Sequence, residues 1–348
     1  LFMSTAVDTR RHQAPVKAGS RQGTVLVGVL ALLILTVLGS SFLGSNMISP
    51  AAALRGLVHP GSGSPESVIM SGRILRTVIG VVIGASLAAA GAAMQGVTRN
   101  PLGDPAILGI NAGCSCFVVI GIAWVGASGA PAYAAWALIG AAVAAVAVYS
   151  IASMGRGGAT PIKLALVGAA FSAGAMSITN ALILQGQKTL DEFRRWQIGS
   201  LSRSSFEDLL SLSPVIVVGL LLTVGFASSM NNFALGDDMA KSLGEKVALK
   251  RFVIFVGIAA LCAASVALAG PIAFLGLMIP HAVRSLTGPD YRWILPLSVV
   301  AGPTILLVAD VVGRVLLPPT EVEVGVTMAI VGVPTFIYLI RSRKAVNL

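Results

Sequence analysis

Charge is what this chain has least of. Of its 348 residues, 11% are Asp, Glu, Lys or Arg, against roughly a quarter in an average soluble domain. Apolar residues make up 55%, and mean hydropathy is +0.88. So few polar side chains cannot cover a soluble globule, and a disordered region has the opposite composition. Length alone would suggest two soluble domains. Composition overrides it in favour of one all-α, polytopic membrane domain.

Metal-binding and catalytic residues are just as sparse. The three cysteines, Cys114, Cys116 and Cys262, all sit in apolar runs. A C-x-C pair with one distant cysteine matches no zinc or redox spacing, so these thiols are expected to pack as small apolar groups. His12, His59 and His281 are far apart, and no metal site is expected. No Gly-Lys dipeptide occurs, which excludes a phosphate-cradling loop, and H-E-x-x-H and G-x-S-x-G are absent. The few carboxylates fall mostly between apolar runs, with Asp310 at an expected helix end. No mid-helix acid chain points to a proton relay. The chain is therefore not expected to be an enzyme or to bind a cofactor, and the energy for any transport would come from another subunit.

The net charge of +10, from 24 Lys and Arg against 14 Asp and Glu, is spread singly between apolar runs. A nucleic-acid-binding protein gathers such charge into a footprint. Here it reads as the positive-inside bias of membrane loops. Residues 1–23 form a basic tail, and the apolar run 24–43 follows. That run is longer than a signal-peptide core of roughly 7–15 residues and lacks an A-x-A site. It is the first expected membrane helix, with the tail in the cytoplasm.

A bilayer core needs about 20 apolar residues per helix. Ten spans are expected near 24–43, 74–94, 106–126, 133–153, 164–184, 208–228, 252–269, 272–287, 293–310 and 325–341. They form a single transmembrane domain over 24–341, followed by a cytoplasmic tail, 342–348. With both termini inside, sixteen of the 24 basic residues fall on the cytoplasmic side, as the orientation rule requires. Arg73, Arg76 and Arg314 run against that bias, at expected outer helix ends. The eighth span is the weakest. Sixteen residues rise only about 24 Å, and Gly270-Pro271 and Pro280 interrupt it. A bent or partial helix buried in protein is expected there. The pairs Gly80/Gly84 and Gly109/Gly113 have the G-x-x-x-G spacing of close helix contacts. SLAAAG at 86–91 is echoed by SVALAG at 265–270. Inverted repeats have this look, and in so alanine-rich a chain chance produces it equally well.

Three connecting segments stand out. Residues 95–111 read QGVTRNPLGDPAILGIN. Pro101 and Pro105 disfavour helix before them, while Asp104 can cap the next helix with Pro105 in its first turn. A rigid cytoplasmic hairpin is expected. In the loop 229–251, Asp237 and Asp238 suit a helix start, and Gly244 suits the position just past its end. Met239, Ala240 and Leu243 can share one apolar face, which calls for a partner. Residues 188–206 are the longest outer polar stretch, with Arg194, Arg195, Trp196 and Arg203. They fit a pathway rim, or an interfacial belt with Trp196 at the headgroups.

The stretch from Gln95 to Gly109 closely resembles a signature of the iron-siderophore, haem and vitamin B12 permease family, the membrane subunits of type II ATP-binding-cassette importers. Gln95, Asn100, Pro101, Asp104, Pro105 and Gly109 carry it. The likeness continues through WQIGSL at 196–201, LG at 235–236 and 243–244, AGPIAFLGLMIPH at 269–281, ADVVGR at 309–314 and GVP at 332–334.

The resemblance implies ten helices per subunit and a second permease subunit, identical or sibling, across a central pathway. It implies two cytoplasmic ATPase subunits carrying ATP and magnesium, and a periplasmic or lipid-anchored substrate-binding protein above. The setting is the bacterial cytoplasmic (inner) membrane. Leu235, Gly236, Asp237, Ala240, Leu243 and Gly244 would couple to the ATPase. Arg73, Arg76 and Arg314 would dock acidic residues of the binding protein, no acidic run on their own face being available to neutralise all three. Leu75 stands where the family usually has proline. The cargo implied is a ferric-siderophore chelate, moved by alternating access, with vitamin B12 or haem as alternatives. An ion-coupled secondary carrier and a structural scaffold are the readings from other classes.

Overall fold

A computed structural model describes residues 18–45, 48–59, 63–155 and 159–343. Most of the expected N-terminal tail and residues 344–348 lie outside them. The described residues form fourteen α-helices: α1 (Ala18–Phe42), α2 (Pro50–Val58), α3 (Pro65–Thr98), α4 (Ile110–Ile120), α5 (Ala130–Ser153), α6 (Pro161–Ile183), α7 (Gln187–Gln197), α8 (Phe206–Val224), α9 (Ala227–Ala234), α10 (Asp237–Ser242), α11 (Val247–Ala269), α12 (Leu275–Thr287), α13 (Tyr291–Leu316) and α14 (Val324–Arg343). Seven are long and apolar enough to cross a membrane, and Ile110–Val125 and Val324–Tyr338 are shorter apolar helices. With the 13-residue α12 they account for the ten expected spans. Helices α2, α7, α9 and α10 lie in the connections.

Helix ends are set by caps that hydropathy does not register. The Ser64 side chain accepts from the Ser67 N–H and Pro65 fills the first turn, so α3 starts nine residues before the expected 74. Its 34 residues span about 51 Å. Arg73 and Arg76 therefore lie two to three turns inside the helix, not at its end, and Leu75 is ordinary helix interior. Helix α13 likewise runs on to Leu316, which places Asp310 inside a helix, against expectation.

Helix α3 is the hub, packed on α13, α11 and α12. Of the expected glycine pairs, Gly80 and Gly84 are where α13 crosses: a Cβ on Gly84 would stand 2.5 Å from the Pro303 Cα. Gly113 meets the Gly140 carbonyl of α5, whereas Gly109 is a turn residue with φ +73°. A Cβ on Gly91 would collide with the Gly276 backbone of α12.

The segment expected as one helix over 106–126 is broken. Asp104 accepts from the Ala106 N–H at 2.7 Å and Pro105 opens a single 3-10 turn, Pro105–Leu108, before Gly109 reverses the backbone. Helix α4 follows and ends in one π turn, Gly121–Val125. The hairpin folds back on the bundle: Pro105 lies against Gly276, and the Ile107 carbonyl against Gly168 of α6.

The expected break before α12 is present. Residues 271–274 are non-helical, and Pro280 lies inside α12. The exposed carbonyls are taken up nearby: Ser200 N–H donates to Ala269 O at 2.7 Å and Ser204 Oγ to Leu268 O at 2.5 Å. Broken backbone inside a helical bundle survives where protein satisfies it. The polar stretch 188–206 contains α7, and Trp196 is buried against Phe193, with ring centroids 6.0 Å apart. This excludes the belt reading with Trp196 at the headgroups. All three cysteines are free and buried, as expected.

Candidate functional sites at the two ends of the bundle

At one end, α9 and α10 form a short platform. Asp237 and Asp238 occupy the first turn of α10. Past its last turn, Gly244 N–H donates to Lys241 O at 2.9 Å and Glu245 N–H to Ala240 O at 3.0 Å. Gly244 has φ +82°. These paired bonds satisfy the terminal carbonyls and stop the helix. Leu235, Met239 and Leu243 are all more than half exposed, Leu243 at 57%. Ala240 is not part of that face: it is fully buried, packed inward. The exposed apolar surface is therefore Leu235, Met239 and Leu243.

Asp237 fixes this platform to the bundle. Its carboxylate takes Arg251 Nη2 at 3.0 Å and Arg99 Nη2 at 2.9 Å. Arg251 is itself buried and lies over the Phe233 ring, 5.7 Å from its centroid. Burial works to raise the Asp237 pKa, but the hydrogen bond and charge of Arg251, with Arg99 and Lys241, hold it below the ordinary carboxylate value. Arg99 has φ +53°, a conformation that costs a non-glycine residue about 1 kcal/mol or more. The fold keeps it where the α3 end must turn toward Asp237. Beside it, Lys250 pairs with Glu245 at 2.5 Å. That hydrogen bond, against burial and aided by Asn232, lowers the Glu245 pKa. The two cytoplasmic segments expected from sequence, 95–111 and 229–251, thus meet through Arg99 and Asp237. Arg99 and Arg251 were not singled out by sequence reasoning; the position of Arg99 inside the 95–109 signature is the signal that marks it.

The other signature residues are scaffolding. Gln95 is buried and donates to Leu277 O at 3.2 Å. Asn100 accepts from the Leu102 N–H at 3.0 Å, preceding Pro101. Together with Asp104, Pro105 and Gly109 they hold the folded-back hairpin.

At the opposite end, α3, α13 and the connection before α14 bring together the three expected arginines. They are not free outward charges. Arg76 meets Asp310 through Nε at 3.0 Å and Nη2 at 2.7 Å, and Glu321 through Nη1 at 2.5 Å. Arg314 reaches Asp310 at 3.0 Å and donates to the Ser40 and Leu43 carbonyls, each at 2.9 Å. Arg73 donates to Phe42 O at 2.7 Å. Asp310 is fully buried and Arg314 is 2% exposed. Two acidic partners, Asp310 and Glu321, share this face, but three cations against two carboxylates leave one net positive charge, so the three are not all neutralised, as expected. The pair Asp310 and Arg314 is four apart on one helix, a spacing that could have flagged it. Glu321 lies outside the spans; burial pushes its pKa up, but hydrogen bonds from Ser45 and Arg76 pull it below the ordinary value. The cluster borders a cleft of about 280 Å³. Among the described residues, no group of three or more His, Cys, Asp or Glu side chains could hold a metal ion.

Comparison with known proteins matches the FecCD transport family model over residues 32–342. The Fe(3+)-citrate import system permease protein YfmD of Bacillus subtilis (strain 168) is 41% identical over 340 residues, covering 97% of this chain and 99% of that protein. The ferric enterobactin transport system permease protein FepD of Escherichia coli (strain K12) is 37% identical over 317 residues, covering 91% and 94%. A solved inward-facing conformation of a metal-chelate type ABC transporter superposes with a TM-score of 0.81 at 25% identity, covering 92% of this chain and 99% of that one. Likeness of this extent, from end to end of a multi-pass helical bundle, means that the chain belongs to the FecCD transport family.

Proposed function

We propose that this permease is the membrane subunit of an ATP-driven importer of ferric-siderophore-type chelates in the bacterial cytoplasmic membrane, with both termini inside. It works beside a second permease subunit, two ATPase subunits that bind ATP and magnesium, and a substrate-binding protein outside. The observation that carries the reading is the clamped platform. An exposed apolar face on a helix of six residues needs a partner to cover it, and the Arg99–Asp237–Arg251 ion pairs hold it rigid enough to transmit force. Leu235, Met239 and Leu243 seat in the ATPase, while Gly236, Asp237, Ala240 and Gly244 shape and anchor the helix. At the other end, Arg73 and Arg76 offer net positive charge at a cleft to acidic residues of the binding protein. Arg314, the most buried of the three, lines the same cleft and also positions Asp310 and through it Arg76. Charge pairs at such interfaces couple by roughly 1.5–7 kcal/mol.

The relatives named for ferric citrate and ferric enterobactin support ferric chelates over vitamin B12 or haem. The test is uptake of an iron-loaded chelate into proteoliposomes of the assembled complex. Uptake should need the ATPase subunits and ATP on their side, and the permease alone should neither hydrolyse ATP nor transport. Uptake by the permease alone under an ion gradient would instead establish a secondary carrier.

A further inference from the structure

Asp237 ties the platform to α3, and a different side chain ties it to another part of the bundle. Asn231, on α9, commits both ends of its amide to the turn between α12 and α13. Its Nδ2 donates to Asp290 Oδ1 at 2.6 Å, and its Oδ1 accepts from the Tyr291 N–H at 2.8 Å. Asp290 caps α13, accepting from the Arg292 N–H at 2.9 Å. Burial pushes the Asp290 pKa up, but hydrogen bonds from Arg292 and Asn231 hold it below the ordinary carboxylate value, so the amide meets a charged partner. Tyr291 is buried. Arg284, in the last turn of α12, donates to its hydroxyl and lies over its ring, 5.0 Å from the centroid. These contacts join the turn to the adjoining ends of both helices.

An amide that donates to a carboxylate and accepts from a backbone N–H fixes an angle as well as a distance. Aspartate lacks the donor, and leucine lacks both groups. The element so held is the short one: α12 has 13 residues between the non-helical 271–274 and Gly288, which has φ +87°. Its far end, at Gly276, lies against Gly91 of α3 and Pro105 of the hairpin. We propose that Asn231 is a positioning residue of the transport cycle, which carries movement of the ATPase-seated platform to the α12–α13 turn while Asp237 carries it to α3. This rests on the import reading above, and its failure can be told apart from failure of that reading.

The test uses the assembled complex in proteoliposomes with Asn231→Leu, and with Asn231→Ser should the leucine variant fail to assemble. Spin labels on Ala234→Cys in α9 and Ser285→Cys in α12, both exposed positions, report the distance between platform and turn by electron paramagnetic resonance. The native thiols are buried and give little background. In the parent that distance should be the same without and with ATP, and in the variant it should shift when ATP is added. On the same vesicles, ATP hydrolysis should stay near the parent rate while ferric citrate taken up per ATP falls about tenfold, the loss expected for one neutral and one charged hydrogen bond. Asn231→Asp combined with Asp290→Asn reverses donor and acceptor across the contact, and asparagine caps a helix as aspartate does. The double variant should recover most of the uptake, whereas Asn231→Asp alone should not. A label distance that stays constant in the variant, hydrolysis that falls in proportion to uptake, or a double variant no better than Asn231→Asp would each overturn the proposal. Normal co-purification of Leu243→Asp would instead be failure of the import reading. A parent complex that takes up no ferric citrate would count against the cargo reading, and the label distances would still decide this one.

Discussion

Replacing Asp310 by Asn should damage the fold more than almost any other isosteric change in this chain. The carboxylate is fully buried and shared by two arginines, receiving three short contacts from Arg76, between 2.7 and 3.1 Å, and one from Arg314 at 3.0 Å. Asparagine keeps the shape and removes the charge. Arg76 would then rely on Glu321, and Arg314 on backbone carbonyls and the Ser40 hydroxyl. Breaking a buried pair by removing one partner costs about 3–5 kcal/mol, because an uncompensated charge stays behind. Unfolding entropy of about 2.1 cal/mol/K per residue over 348 residues is roughly 0.7 kcal/mol/K. A loss of about 4 kcal/mol thus lowers the melting temperature by roughly 5 °C. The assay is the thermal loss of the monodisperse peak of detergent-purified protein. Replacing Arg314 by Met in the same chain should restore most of the loss, since apolar groups of similar volume substitute well for buried charges. A single variant that melts within about 1 °C of the parent, or a double variant no better than the single, would refute the reasoning.

At the platform, Leu243→Asp should weaken co-purification with the ATPase subunits by about 2–4 kcal/mol, as a charge replaces an apolar contact, while membrane insertion stays normal; unchanged co-purification would remove α10 from coupling. Gly91→Ala should cost at least about 1–3 kcal/mol, because its Cβ would overlap the Gly276 backbone; thermal melting beside Gly23→Ala, where nothing lies within 4 Å, measures it. The depressed Asp237 pKa makes its contribution complete above the unfolded carboxylate value of about 3.9 and lost as pH falls through the lower folded value. Protease protection of the α9–α10 loop should therefore hold at about pH 5 and fall below about pH 4, and Asp237→Asn should remove it at neutral pH. A cysteine at position 241 should react with impermeant reagents only from the cytoplasmic side, and reaction from outside would reverse the orientation.

Seven of the ten spans were legible because each is a long apolar run, and the break before α12 because Gly270-Pro271 and Pro280 interrupt the chain there. Helix ends were not. Hydropathy stops at the apolar stretch, whereas α3 begins where Ser64 and Pro65 cap it. That same error put Arg73, Arg76 and Asp310 at helix ends. The charge network was hidden for another reason: Arg76 and Asp310 are 234 residues apart in sequence, and no local pattern announces such a pair. The Arg99–Asp237 contact joins two stretches that were each recognised but not connected. Ala240 was misassigned because a helix of six residues offers too few positions to tell its inner side from its outer one.

Helix α3 carries Arg73 and Arg76 two to three turns inside one end and Arg99 just past the other, without interruption over 34 residues. It is in effect a rocker arm. A tilt of about 5° over a rod of about 51 Å moves the far end by roughly 4 Å. Since Arg99 is tied to Asp237, the platform helix would travel with it. The arginine cleft and the α10 platform thus hang on one continuous helix, so a tilt of α3 would shift both.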